Sequence, residues 1–167
     1  MSQLAVNTPK GQESLEQEKR SVEVLNRYYP DLFYANTPKD SAATIDAVLI
    51  EPSGIGASVV CGVAEQKSRW MSYQQLKDWK FEWLITNDKL QRSRKIAIDL
   101  HVPLFGLLYL VPDDYLLFQE LCDEKGEWSV DFEVRYTETW ETTENKKKIF
   151  RNNAFVDMKK AEVLKGA

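Results

Sequence analysis

Three ionisable residues stand inside runs that are otherwise apolar. Asp46 lies in Ala-Thr-Ile-Asp-Ala-Val-Leu-Ile, and Glu65 and Lys67 close Val-Val-Cys-Gly-Val-Ala-Glu-Gln-Lys. A carboxylate in such a setting must be paired, hydrogen-bonded or on a metal, because a bare desolvated charge is costly. Alternate residues of a strand share a face, so Glu65 and Lys67 point the same way. If the two runs form a hairpin, Asp46 comes alongside, and two carboxylates and an ammonium meet at one spot. That set suits phosphodiester hydrolysis. Mg²⁺ takes oxygen ligands, usually one or two carboxylates plus water and substrate phosphate. The metal polarises the phosphoryl oxygen and sharpens a bound water as nucleophile, while a lysine beside it orients that water and offsets charge building on the phosphate. The plainer alternative is an ion pair with a turn-adjacent acid, since strand-end charges often reach water.

The elements that must position these groups are legible around them. Residues 1–13 are polar and are expected to fray as a flexible N-terminal segment, with a Thr-Pro-Lys-Gly turn. Residues 14–167 are expected to form a single domain. Ser14 with Gln17 makes a capping-box arrangement that opens a helix running to Tyr29 and stopping before Pro30. Residues 31–43 read as a loop or short irregular strand. Residues 44–51 and 57–67 read as successive strands across the turn Pro52-Ser53-Gly54. Ser72 with Gln75 is a second capping box, opening a helix with Leu76, Trp79 and Trp83 on one side. Thr86-Asn87-Asp88 breaks or restarts it, and Leu90, Ala97 and Leu100 continue a helical stripe. Strands are expected from Pro103 to Val111 and from Tyr115 to Leu121, joined at Pro112-Asp113-Asp114. Residues 128–142 alternate as a strand, 144–148 form a charged turn, and 149–164 read as strand, then helix. Helices flanking a mixed sheet make this an α/β chain.

Composition narrows the classes. The chain has 167 residues, 43% hydrophobic and 29% charged, enough for one domain with a real core. The longest apolar stretch, residues 102–110, is about nine residues against the roughly 20 a membrane helix needs. Residues 1–10 lack a charged-then-apolar export pattern, so a cytoplasmic protein away from membranes is expected. Cys61, Cys122 and the single His101 do not fit a zinc spacing, and reduced, buried thiols are expected. A net charge of −4 argues against coating nucleic acid by bulk attraction, though not against an enzyme touching a few phosphates. The charge is uneven, with eight Lys and Arg against four Asp and Glu between positions 65 and 95. No Gly-rich phosphate loop, nucleophile elbow or dinucleotide fingerprint is present.

An Asp followed nineteen positions later by Glu65-Gln66-Lys67, on two successive strands after an N-terminal helix, resembles the PD-(D/E)XK nuclease pattern. The resemblance spans roughly residues 14–121 and implies a restriction-endonuclease-like core, a central mixed β-sheet flanked by helices. It implies that Asp46 and Glu65 bind Mg²⁺ or Mn²⁺ and that Lys67 serves the attacking water. Ile45 stands where the family often has Pro. Gln66 stands where an apolar core residue is usual, so its amide is expected to bond a helix or backbone group. Family members often add a carboxylate from the first helix. Glu18, on the stripe Leu15, Glu18, Val22, Leu25, Tyr29, is the residue that would supply it; a boundary glutamate with its head in solvent explains it equally. Lys89, Arg69 and Gln75 are candidate substrate contacts, against the plainer readings of a solvated helix face, a soluble loop cation and a helix cap.

The resemblance implies a metal-dependent nuclease hydrolysing DNA phosphodiester bonds. No separate specificity domain fits the length, which favours repair, recombination or genome processing over sequence-specific restriction. A structure-specific junction resolvase on the same fold, and an inactive nucleic-acid-binding or assembly protein, are the alternatives. A homodimer would supply the two sites that cutting both strands requires, although the sequence itself does not show one.

Overall fold

A computed structural model of the chain describes residues 8–38, 43–54, 56–140 and 147–167. Helix α1 (Pro9–Tyr28) starts earlier than the capping box at Ser14 suggested. Thr8 is its N-cap, its hydroxyl accepting the Gly11 N–H at 3.0 Å, and Pro9 follows with its ring φ already helical. Ser14 lies inside the helix, its Oγ donating to the Lys10 carbonyl. The first segment expected to fray is therefore helical from residue 9, while residues 1–7 lie outside the described residues. The helix ends at Tyr29, just ahead of Pro30, as the proline dictates.

The remaining elements are β1 (Phe33–Asn36), β2 (Ala47–Pro52), β3 (Ser58–Arg69), α2 (Tyr73–Asp78), β4 (Glu82–Thr86), α3 (Asn87–Leu100), β5 (Leu104–Leu110), β6 (Tyr115–Cys122), β7 (Phe132–Trp140), β8 (Lys148–Asp157) and β9 (Glu162–Lys165). Six strands form the central sheet in the order β1-β2-β3-β5-β6-β9. It is mixed: β3 and β5 run parallel, joined by the crossover through α2, β4 and α3, and the other neighbours are antiparallel. A second, antiparallel sheet has the order β4-β8-β7.

Two apolar layers fix which face each central strand presents. On one face Ala47, Leu49, Ala64, Leu107, Tyr109 and Leu116 pack with Val24 and Leu25 of α1. On the other, Val63, Leu104, Leu108, Leu117 and Leu121 pack with Leu90 and Ala97 of α3 and with Trp83, Ile85, Ala154 and Val156 of the small sheet. Strand alternation then sends Glu65 and Lys67 with Val63 toward α3, and Gln66 with Ala64 toward α1. Gly106 pairs with Glu65 in the ladder. A Cβ there would sit 2.6 Å from the Trp83 ring, so the absent side chain is what admits the indole. No helix among the described residues is long and apolar enough to cross a membrane.

Three segments differ from the sequence reading. The helix opened by Ser72 stops after Asp78, and Lys80 and Phe81 take left-handed φ values of 57° and 60° before β4 begins. Trp83 belongs to that strand, fully buried beside Ile85 two positions on, whereas Trp79 is exposed. A spacing of four between Trp79 and Trp83 imitated a helical stripe where the operative period was two. The C-terminal segment expected to end in a helix instead makes β8, a turn and β9, which covers the edge of β6. Leu100, expected on the buried stripe of α3, is exposed, and Ser93 takes a place there. Within the expected strand over residues 128–142, β7 forms, Trp128 makes a single bridge to Cys122, and residues 141–142 lie outside the described residues. Of the charged turn expected at 144–148, residues 144–146 lie outside the described residues and Lys148 opens β8.

Candidate functional site

The ladder between β2 and β3 ends at Asp46, and the ending builds the site. The Asp46 N–H still bonds the Ala64 carbonyl at 3.0 Å. The next donor on β3, the Gln66 N–H, finds the Asp46 carboxylate at 2.8 Å in place of a backbone carbonyl. Asp46 thus sits just ahead of β2 rather than within a strand, held by main-chain bonds on both sides. Glu65 is 2% exposed and points at α3, where Ser93 Oγ donates to Oε1 at 2.5 Å.

Lys89, one turn before Ser93, ties the two acids together. Its Nζ lies 2.8 Å from Glu65 Oε2 and 3.2 and 3.3 Å from the Asp46 oxygens. Burial pushes the Glu65 carboxyl up to about 7, and the Asp46 charge adds to the shift; Lys89 and Ser93 pull it back only in part. For Lys89 itself burial works downward, but the two carboxylates outweigh it and hold the ammonium above its ordinary range.

Lys67 follows Glu65 on the same face and lines a cleft with Lys89, Arg69, Arg92, Arg151 and Lys10. Among the described residues its ammonium makes no hydrogen bond or ion pair, and it feels the charges of Asp46, Glu65, Lys89 and Arg69. Burial pushes its pKa down, and the nearby Lys89 charge pushes the same way. Burial also lowers Arg69, whose guanidinium donates, among the described residues, only to the neighbouring Ser68 carbonyl at 3.2 Å. Glu138, Thr139 and Trp140 from the small sheet form the facing wall.

Gln66 has the helix and backbone partners that its unusual position demanded. Fully buried on the α1 face, its Nε2 donates to the Glu18 carbonyl at 3.1 Å and to the Ser21 hydroxyl, and its Oε1 accepts from Tyr34 at 2.7 Å. This brace locks α1 and β1 to the strand that carries Glu65 and Lys67. Burial drives the Tyr34 phenol above its ordinary range, with the charges of Asp46, Glu18 and Glu65 adding to the effect.

The structure therefore brings Asp46, Glu65, Lys67, Lys89 and Arg69 to one side of the sheet. It does not bring Gln75 there: the Gln75 side chain accepts the Ser72 N–H at 2.8 Å and completes the capping box of α2. Glu18 lies on the α1 side, lining a hollow with Leu15, Lys19, Val22 and Asn36; its backbone carbonyl serves Gln66 and its charge reaches Tyr34. Sequence reasoning missed Ser93 as the partner of Glu65. Ser93 was findable, as the polar residue on the buried stripe of α3 one turn after Lys89.

Among the described residues no three His, Cys, Asp or Glu side chains gather into a ready metal cage. What the site offers is a pair of carboxylates that already share one cation, the Lys89 ammonium. Two carboxylates are the usual protein complement for Mg²⁺, which keeps several waters, so this donor set fits a hard divalent ion. Comparison of the chain with family models, with curated proteins and with solved structures finds no match.

Proposed function

We propose that this chain is a metal-dependent nuclease with a restriction-endonuclease-like core of the PD-(D/E)XK type, hydrolysing DNA phosphodiester bonds in repair, recombination or genome processing. The observation that carries the reading is the shared focus of Asp46 and Glu65 on a single cationic centre, next to Lys67 in a cationic cleft. The order of the elements supports it: a helix, a strand that Asp46 immediately precedes in antiparallel pairing with a strand bearing Glu-x-Lys, then a crossover to a parallel strand.

Asp46 and Glu65 would hold Mg²⁺ or Mn²⁺, which when bound supplies charge to polarise a phosphoryl oxygen and to acidify a water. The protein's own groups do the rest. Lys67, kept partly desolvated and with its affinity for a proton reduced, is placed to hold a water or a non-bridging phosphate oxygen by hydrogen bonding. Lys89 is placed to exchange the carboxylates for a phosphate when a stronger cation takes them. Arg69, Arg92 and Arg151 present further donors along the cleft, whose volume of about 990 Å³ accommodates a stretch of polymer. Ser93 fixes the rotamer of Glu65, and the Gln66 brace fixes the strand.

The test is incubation of the purified chain with linear single-stranded, linear duplex and branched DNA, with Mg²⁺, with Mn²⁺ and with chelator. Metal-dependent cleavage lost in Lys67→Ala, with the circular dichroism spectrum unchanged, is the expected result. Cleavage restricted to branched DNA would assign a junction resolvase. One observation favours a non-catalytic reading: the Lys89 ammonium already pairs with both acids, as it would in an inactive nucleic-acid-binding module. Absence of both metal binding and cleavage in the wild type would establish that reading in place of the enzyme.

A further inference from the structure

The small sheet carries more strand than its core needs. Strand β4 pairs with β8 only from Asn153 to Asp157. Beyond Asn153 the partners Tyr136–Asn152, Glu138–Phe150 and Trp140–Lys148 continue as a two-stranded ribbon. A bare ribbon of this kind is marginal in water. At its base, the face toward α3 is made by Ala154 and Val156, both fully buried.

Paired residues of an antiparallel ladder share a face, and the face recurs every second residue. The side that is core at the base therefore continues outward as Val134, Tyr136, Phe150 and Trp140. Among the described residues it meets no core there: Tyr136 is 69% exposed, Trp140 60% and Phe150 59%. The Tyr136 and Phe150 rings lie 5.6 Å apart and 32° from parallel, and Lys148 sits over the Trp140 ring at 5.1 Å. Three large rings on one exposed ribbon face form a patch of the kind that marks a binding surface.

The chemistry around the patch selects its occupant. Trp140 and Thr139 wall the same cleft that Lys67, Lys89, Arg92 and Arg151 line. Glu138, between Tyr136 and Trp140, is the acid on that face of the ribbon among the described residues. A ligand that enters the cleft must be a polyanion, and one that also covers the rings must offer flat π faces. Single-stranded polynucleotide offers both, because unpaired bases stack on aromatic side chains while phosphates track the cations. In a duplex the base faces are already stacked on each other.

We propose that the β7–β8 ribbon is a stacking arm that binds single-stranded nucleic acid beside the cleft, with Tyr136, Phe150 and Trp140 as the base platforms. The inference rests on the nucleic-acid reading of the cleft, and specifies the substrate as an unpaired strand or a single-stranded region next to a duplex. Deoxy and ribo strands share this chemistry.

The experiment uses the whole chain in EDTA, so that binding is read without cleavage. Fluorescence anisotropy is measured with labelled oligodeoxythymidine, oligouridine and a blunt DNA duplex of matching length. The wild type is expected to prefer the single strands. Tyr136→Ala/Phe150→Ala should weaken single-strand binding by about tenfold or more per lost platform and leave duplex binding unchanged, and Trp140→Leu should likewise weaken single-strand binding by about tenfold. Tyr136→Phe/Phe150→Tyr should restore it, since the rings remain. Preference for oligouridine over oligodeoxythymidine assigns an RNA strand, and the reverse a DNA strand. Equal wild-type affinity for single strand and duplex, or unchanged binding in the alanine double variant, overturns the proposal. So does a concentration-dependent dimer in sedimentation that the double variant abolishes, which would make the patch a self-association face. Ribbon-dependent binding without metal-dependent cleavage would leave the stacking arm standing and remove the nuclease. Cleavage without ribbon dependence would do the opposite.

Discussion

Glu65→Gln separates the cost of the site from its use. In the wild type the Glu65 carboxyl rises from 4.5 to about 7 because burial, helped by Asp46, disfavours the ionised form. At about 1.4 kcal/mol per unit, ionising it in the folded state costs about 3 kcal/mol. A raised carboxyl pKa means the folded chain holds a proton that the unfolded chain has released between these values. Stability from this group is therefore full below pH 4.5, falls as pH rises, and is fully lost above about 7. Glutamine keeps the shape and an acceptor for the Ser93 hydroxyl while never ionising. The variant should match the wild type near pH 4.5 and exceed it by up to about 3 kcal/mol at pH 8, a rise of about 6–12 °C in Tm for a chain of this size. Thermal denaturation of both proteins in EDTA across this pH range reads the difference, in which titrations common to both cancel. Identical Tm values at pH 8, or a less stable variant there, would mean that the Lys89 ion pair fully compensates the buried charge and that the argument from desolvation is mistaken.

The same proton must leave before a divalent ion can bind, so calorimetric affinity for Mn²⁺ should weaken by about fivefold from pH 7 to pH 6 with proton release on binding. Lys89→Met removes the resident cation: at pH 8 the metal-free protein should lose about 3 kcal/mol in urea unfolding, while Mn²⁺ binds more tightly because no ammonium must be displaced. Gln66→Leu leaves the buried Tyr34 hydroxyl without its acceptor and should cost about 2 kcal/mol in urea unfolding; a neutral result would mean the brace between α1 and the sheet is ornamental. Gly106→Ala drives a methyl against the Trp83 ring and should cost about 1–3 kcal/mol, with tryptophan emission shifted as the indole moves.

How far the sequence carried depended on whether a signal was local. Pro30 stopped α1 at the expected place, and Gly54 with its φ of 80° turned β2 toward β3, because each acts through its own backbone. The N-terminus of α1 was misjudged because Thr8-Pro9 reads equally as a turn and as a cap with proline at N1; only the helix that follows decides between them. The segment from Trp79 to Thr86 failed for a different reason. Lys80 and Phe81 adopt left-handed φ without glycine. That strain leaves no mark in residue type and is held by tertiary bonds, the Phe81 N–H to Leu76 and the Phe81 carbonyl to the Met158 N–H. The C-terminal strand β9 was likewise invisible, since four residues gain their strand character from the β6 edge they cover.

The candidate site divides along the same line. Asp46, Glu65 and Lys67 were legible because charges in apolar strands are anomalous, and alternation alone put the last two on one face. What alternation could not supply was the second layer. Lys89 lay in a basic run that reads as a solvated helix face. Its place between two carboxylates follows from α3 crossing β3 on the side opposite α1, a fact of topology. The difference bears on chemistry. Without Lys89 the two acids would repel more strongly, and the Glu65 carboxyl would be pushed still further up. With it they stand converged, oxygens turned to a common point, before any metal arrives. A resident ammonium thus keeps the acids poised at the expense of competing with the ion they await. That competition predicts opposite effects of Lys89→Met on the stability of the metal-free fold and on its affinity for metal. A plain structural salt bridge would lose stability with no gain in affinity.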